Sequence, residues 1–130
     1  MGLSCALDAW AVLAVLRDEA AAPRVREGVL DGAVSSWINL GEALYQQARR
    51  QSFDSARDDL SRFAATITAE EPNRQLIESA SALKAAGGIS YADCFAVATA
   101  ERHGVPLLTG DPEILALERP ELTLVDLRGA

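Results

Sequence analysis

The feature that most constrains this chain is its alternation of short apolar runs with longer stretches of helical period. Residues 3–7, 33–35, 66–69, 105–109 and 122–127 form the runs, each the length of a strand buried between two layers. Helical segments separate them. One covers residues 9–17, and Pro23 opens a second that runs to residue 31. Ser36 caps a helix over residues 37–50, and Ser52, with Asp54 in the following turn, opens another that ends near residue 65. Pro72 opens a helix carrying Leu76, Ile77, Ala80 and Leu83, which Gly87-Gly88 stops. Ser90 caps a helix over residues 91–103, Gly104 ends it, and a short helical turn covers residues 112–117. Repeated βα units of this kind predict an α/β fold. Right-handed crossovers place helices on both faces of a mainly parallel five-stranded sheet, giving three layers, α/β/α. Functional groups then belong beyond the carboxyl ends of the strands.

Composition limits the chemistry. The 130 residues suit one domain over residues 1–130, and 49% apolar content with 9 Gly and 5 Pro excludes disordered and fibrous classes. A formal net charge of −7 means that a nucleic acid cannot be held by overall charge, only by a local basic patch or bound cations. Cys5 and Cys94 lie in apolar segments without metal-knuckle or redox spacing, the usage expected of a reduced intracellular protein. The lone histidine, His103, excludes any site needing two His ligands, and Lys84 is the only lysine. Residues 3–16 are largely apolar but are interrupted by Asp8 and preceded by no basic residue, so no secretory leader is expected. Nor is a membrane span, which needs ~20 apolar residues, or myristoylation, since Ala6 stands where Ser or Thr is required. The expectation is a soluble, cytoplasmic protein.

Four acids fall where the strand-end rule points. Asp8 follows the first strand, Glu42 lies in the helix after the second, Asp93 sits in the first turn of the Ser90-capped helix, and Asp111 is two residues past Thr109. Each alone reads as an ordinary first-turn, turn or surface acid. Their surroundings argue otherwise: the windows 4–13, 38–45 and 91–96 are otherwise almost uncharged, so each carboxylate is desolvated unless something pairs with it. Gathered together, such acids require a cation. A carboxylate-only donor set suits a hard ion, Mg²⁺ or Mn²⁺, better than zinc.

Leu7-Asp8-Ala9, Asn39-Leu40-Gly41-Glu42, Ser90-Tyr91-Ala92-Asp93-Cys94-Phe95-Ala96 and Leu107-Leu108-Thr109-Gly110-Asp111, in this order and spacing, resemble the motifs of PIN-domain ribonucleases. Size and spacing are similar to those of the VapC toxins of toxin-antitoxin pairs. The resemblance implies a sheet of order 3-2-1-4-5 and Mg²⁺-dependent hydrolysis of single-stranded or loop RNA. Asp8, Glu42, Asp93 and Asp111 match the family's acidic quartet as catalytic and metal-binding residues, with Asp8 and Asp93 as direct ligands and Thr109 as an accessory hydroxyl. It also implies a homodimer silenced by a small antitoxin, whose contact Trp10, Trp37 and Phe53 could line. One departure is visible: Trp10 stands where many relatives carry Ser or Thr.

Phosphodiester hydrolysis builds negative charge on phosphate oxygens and needs a deprotonated water, and one or two Mg²⁺ supply both needs. In this reading Asp8 and Asp93 hold the principal ion, and Glu42 and Asp111 complete a second position or hold the attacking water. Arg49 and Arg50 are the best-placed residues for the RNA backbone, although they could equally complement a helix C-terminus. Two other readings stand beside this one. A PIN-like scaffold could bind without catalysis, and a Mg²⁺-binding phosphoacceptor domain also gathers acids at strand ends, but needs a lysine beyond a later strand. Lys84 lies in a helix instead.

Overall fold

A computed structural model describes residues 2–129; Met1 and Ala130, and with them the first residue of the myristoylation question, lie outside the described residues. Chain order is β1 (Cys5–Leu7), α1 (Ala9–Leu16), α2 (Ala22–Asp31), β2 (Ala33–Ser36), α3 (Trp37–Gln47), α4 (Phe53–Ala64), β3 (Thr68–Glu70), α5 (Arg74–Ala85), α6 (Tyr91–His103), β4 (Leu107–Thr109), α7 (Pro112–Leu115) and β5 (Leu124–Asp126). The sheet has order β3-β2-β1-β4-β5, and all four neighbouring pairs are parallel. This is the expected three-layer fold, with a wholly parallel sheet.

Alternation along the strands divides the core in two. Cys5, Leu7, Ala33 and Leu108 pack with Val12, Val25, Leu40, Leu60 and Phe63 of α1 to α4. Ala6, Val34 and Leu107 point the other way, onto Leu76, Phe95, Val97 and Ile114 of α5 to α7. Both faces of β1, β2 and β4 are therefore covered, and every residue of these strands is buried. The edge strands β3 and β5 keep partly exposed residues, including Thr68 and Asp126. On one face Gly28 of α2 lies so close to β1 and β4 that a Cβ there would meet Cys5 Sγ at 2.9 Å and Leu108 at 3.2 Å.

The capping serines act as their positions predict. Ser36, Ser52 and Ser90 accept hydrogen bonds from the N–H groups of Ile38, Ser55 and Asp93, and Gly104 ends α6 with φ of 63°. Several boundaries differ: β1, β4, β5 and α7 are each shorter than expected, and three other differences have a visible local cause. The helix α5 is capped by Asn73, whose side chain accepts from Leu76 N–H, so Pro72 precedes the helix rather than opening it. The helix α3 ends at Gln47, because the Arg49 and Arg50 N–H groups bond to Gln46 and Gln47 carbonyls in tighter turns. The third strand begins at Thr68, since Thr66 donates both its N–H and hydroxyl back to the Phe63 carbonyl, closing the end of α4.

Candidate active site

The strand β1 stops at Leu7, and the next residue begins the site. Asp8 is the N-cap of α1 and accepts the Ala11 N–H at 2.9 Å, while only 2% exposed. Because β4 lies beside β1, its last residue, Thr109, donates its hydroxyl to the other Asp8 oxygen. That hydroxyl in turn accepts the Asp111 N–H at 2.9 Å, and Asp111 caps α7 by accepting the Glu113 N–H at 2.8 Å. A continuous hydrogen-bond chain thus links the first and last acids, 103 residues apart in sequence.

Helices bring the other two. Asp93 lies three residues past the Ser90 cap, and its N–H donates to the Ser90 hydroxyl at 3.2 Å. Glu42 is carried by α3. One turn earlier Asn39, fully buried, donates to the Ala92 carbonyl at 2.9 Å, tying α3 to the first turn of α6 beside Asp93. The Ser35 hydroxyl holds β2 to β1 through the Leu7 carbonyl at 2.9 Å, immediately before Asp8. One Glu42 oxygen, Oε2, accepts from Gln46 at 3.3 Å; the other, Oε1, is buried without a partner, as is Asn39 Oδ1.

These acids share one electrostatic neighbourhood. Burial pushes the Asp8 carboxyl up to about 7 against the lowering effect of its hydrogen bonds to Thr109 and Ala11, and the charges of Asp93 and Asp111 raise it further. Asp93 is pushed up to about 6, first by burial and then by Asp111, with Glu42 and Glu113 adding to it. Burial also raises Glu42, and Asp111 again contributes. Among the described residues none of the four forms a salt bridge. Nor do three acidic, His or Cys side chains gather tightly enough to ligate one ion together. The acids therefore face one another within reach of their charges rather than forming a preformed cage, and that distinction matters for the choice of ion. Mg²⁺ keeps several waters and takes only one or two carboxylates directly. The unpartnered Glu42 oxygen and the raised acids make an all-oxygen donor set, and its chemistry fits a hard divalent ion.

The family model described as PIN domain matches residues 5–120, which include all four acids. The chain belongs to the PIN domain family. Solved structures share the fold of this PIN domain. DNA-bound VapBC from Salmonella typhimurium aligns with a TM-score of 0.77 at 14% identity, over 96% of this chain and 98% of that one. VapC20 from Mycobacterium tuberculosis, a sarcin-ricin loop cleaving toxin, aligns at 0.73 and 18%, over 92% and 99%. A toxin-antitoxin complex from Klebsiella pneumoniae aligns at 0.73 and 19%, over 95% and 98%. A search of curated protein sequences finds no match.

Three residues have roles at the site of this PIN domain that a reading of its sequence does not give. Glu113 adds a further negative charge near Asp93, signalled only by its place two residues after Asp111. Asn39 positions α3, and its spacing of three residues from Glu42 was the available sign. Trp10 is the third. Its indole lies on Gly110, where a Cβ would come within 2.3 Å of the ring, so Trp10 packs against the turn between Thr109 and Asp111. Trp37 and Phe53 remain substantially exposed. Arg49 and Arg50 lie exposed in the turn after α3, and Lys84 is engaged with the Ile89 carbonyl at 3.0 Å.

Proposed function

We propose that this PIN domain, taken as one domain over residues 1–130, is a divalent-metal-dependent endoribonuclease and the toxin of a toxin-antitoxin pair. The observation that carries the nuclease reading is the set of four converging acids without a cationic side chain among them, one of which leaves a buried oxygen unpartnered. A protein gains no stability from such an arrangement. The toxin reading is supported by the similarity in fold to VapC20, a toxin, and to toxin-antitoxin complexes.

Asp8 and Asp93 would hold Mg²⁺ or Mn²⁺, with Glu42 and Asp111 completing a second position or holding the attacking water. A bound ion supplies phosphate charge neutralisation and a deprotonated water at neutral pH. Everything else falls to the chain itself. Thr109 fixes the orientation of the Asp8 carboxylate and, through the Asp111 N–H, the height of the α7 turn. Asn39 sets the distance between the helix carrying Glu42 and the turn carrying Asp93. Burial of Asp8 keeps it poised near neutrality, so cation binding and deprotonation are coupled there. The antitoxin, a homodimeric assembly and a cytoplasmic location belong to the same proposal, the last consistent with the absence of any described helix long and apolar enough to cross a membrane.

Purified protein incubated with structured and single-stranded RNA should cleave it in Mg²⁺ or Mn²⁺ and stop in EDTA. Asp8→Asn and Asp93→Asn should fold and lose cleavage. Undiminished cleavage by both variants, or by wild type in EDTA, would refute the assignment.

A further inference from the structure

A second feature of α3 has no role in the acid site. Tyr45 lies one turn beyond Glu42 on α3, and Arg49 follows in the turn just past the helix end at Gln47. Their side chains meet: the Arg49 guanidinium lies 5.4 Å from the centre of the Tyr45 ring, which remains 51% exposed. A large aromatic stiffened by a guanidinium on one side, and left half open to solvent, gains little by packing. It does offer a flat surface on which a base can stack.

The same end of α3 gathers positive charge. Arg17, at the C-cap of α1, donates its Nε to the buried Gln47 side chain at 2.9 Å, which holds the guanidinium against the end of α3. Arg50 donates its backbone N–H to the carbonyl of the same Gln47, so both arginines border that residue; burial and the charge of Arg50 lower the Arg17 pKa, and Glu19 acts in the opposite direction. Among the described residues neither Arg17, Arg49 nor Arg50 is paired with an acid within 4.0 Å, in a chain whose acids outnumber its Lys and Arg by 19 to 12. Arg26, Arg57, Arg62, Arg74, Arg119 and Arg128 all have such partners, while Arg24 and Arg102 are the other two arginines without one among the described residues. Three unpaired arginines beside an exposed aromatic are the local basic patch that an acidic protein needs for a polyanion. From Glu42 to Tyr45 is three residues, ~4.5 Å along α3, and Arg49 lies in the turn just beyond that helix.

We infer that this side of α3 is the track for single-stranded RNA flanking the scissile phosphate. One base stacks on Tyr45, and the backbone phosphates beyond it lie on Arg17, Arg49 and Arg50. The inference rests on the nuclease reading for its substrate, but it concerns residues outside the acid quartet and can fail separately.

The test is fluorescence anisotropy with a short, fluorescein-labelled single-stranded RNA of mixed sequence, in EDTA so that nothing is cleaved. Circular dichroism checks the fold of each variant. Tyr45→Ala should weaken binding on the order of 10-fold, and Tyr45→Phe should restore it, since the ring rather than the hydroxyl carries the stack. Arg49→Ala/Arg50→Ala should weaken binding on the order of 10-fold and reduce the slope of log affinity against log salt by about 1.4, the value for two phosphates on a single strand. Arg74→Ala, at a distant ion pair on α5, should change neither. Unaltered affinity and slope in the α3 variants, with cleavage intact in Mg²⁺, would overturn the track and leave the nuclease reading standing. Loss of binding in these variants, from a wild-type protein that binds RNA yet never cleaves it, would support the track and refute the nuclease reading. A change of oligomeric state by light scattering without a change in RNA affinity would assign the patch to a second copy of the chain and overturn the inference.

Discussion

The two ends of α6 hold acids under opposite rules. At its N-terminus Asp93 has no cationic partner, and its carboxyl sits at about 6 although the positive end of the helix dipole should lower it. Burial and the charges of Asp111, Glu42 and Glu113 outweigh the dipole there. Two turns further on, Glu101 is gripped through both oxygens by Arg119, at 2.7 and 2.8 Å, and in the last turn His103 meets Glu70 at 2.8 Å. Toward the C-terminus the dipole disfavours acids, and Glu101, the only acid of α6 there, has a cation, while Glu70 of β3 meets His103. One helix therefore pairs Glu101 where pairing favours folding and leaves Asp93 unpaired where the sheet ends. Pairing explains the lower end; the upper one is left to the cation-binding role proposed above.

The sharpest way to break this contrast is to neutralise one acid at each end. Asp93→Asn should lower the RNA cleavage rate by about 100-fold or more, whereas Glu101→Gln should leave it within about twofold. Equal losses in a gel-based cleavage assay would remove the distinction.

Acidity sharpens it next. Asp8, at about 7 in the folded protein against 3.8 when unfolded, binds more protons folded than unfolded between those values, so its effect on stability becomes progressively unfavourable as pH rises from about 4 to 7. In EDTA, wild type should therefore lose stability relative to Asp8→Asn across this window, by a few kcal/mol at pH 8, as read by urea denaturation. Asn keeps the cap on α1, which isolates the charge. Millimolar Mg²⁺ or Mn²⁺ should raise the wild-type melting temperature at pH 7.5 and leave Asp8→Asn nearly unmoved. Parallel pH profiles without metal would show that burial of Asp8 costs nothing.

A third change touches the upper end through packing alone. Gly110→Ala drives a methyl into the Trp10 ring and should cost about 1 to 3 kcal/mol; Trp10→Ala should recover much of that in the double variant. Additive losses would mean that the ring and the turn are independent. The smallest effect belongs to the lower end, where Arg119→Ala should cost about 1 kcal/mol in thermal unfolding and nothing in cleavage.

Much of this architecture is readable from punctuation. Ser36, Ser52, Ser90 and Gly104 mark helix ends because a cap is a local bargain between a side chain and the nearest few N–H or C=O groups. Pro72 misleads by a residue or two because the cap is made by Asn73, and residues 48–50 leave the helix through tighter turns that no propensity announces. Residues 66 and 67 read as strand by their side chains, yet Thr66 is held by the Phe63 carbonyl. Asp8, Glu42 and Asp93 were visible for a related reason: an isolated carboxylate in an uncharged window is an electrostatic anomaly wherever it folds, whereas Asp111 was marked by its place just past Thr109. Glu113 and Asn39 were not, because neither is anomalous until α7 and α3 are docked against α6.

What the sequence determined by itself is the set of strands and helices, their apolar faces and the identity of the four unpaired acids, all fixed by contacts within a few residues. The tertiary structure alone decided that Thr109 reaches Asp8, that the Trp10 ring closes over Gly110, and that Arg17 reaches the Gln47 side chain. Those meetings depend on the crossover that sets β4 beside β1 and on the docking of α1 against α3, and separations of 30 to 101 residues leave no periodicity to read.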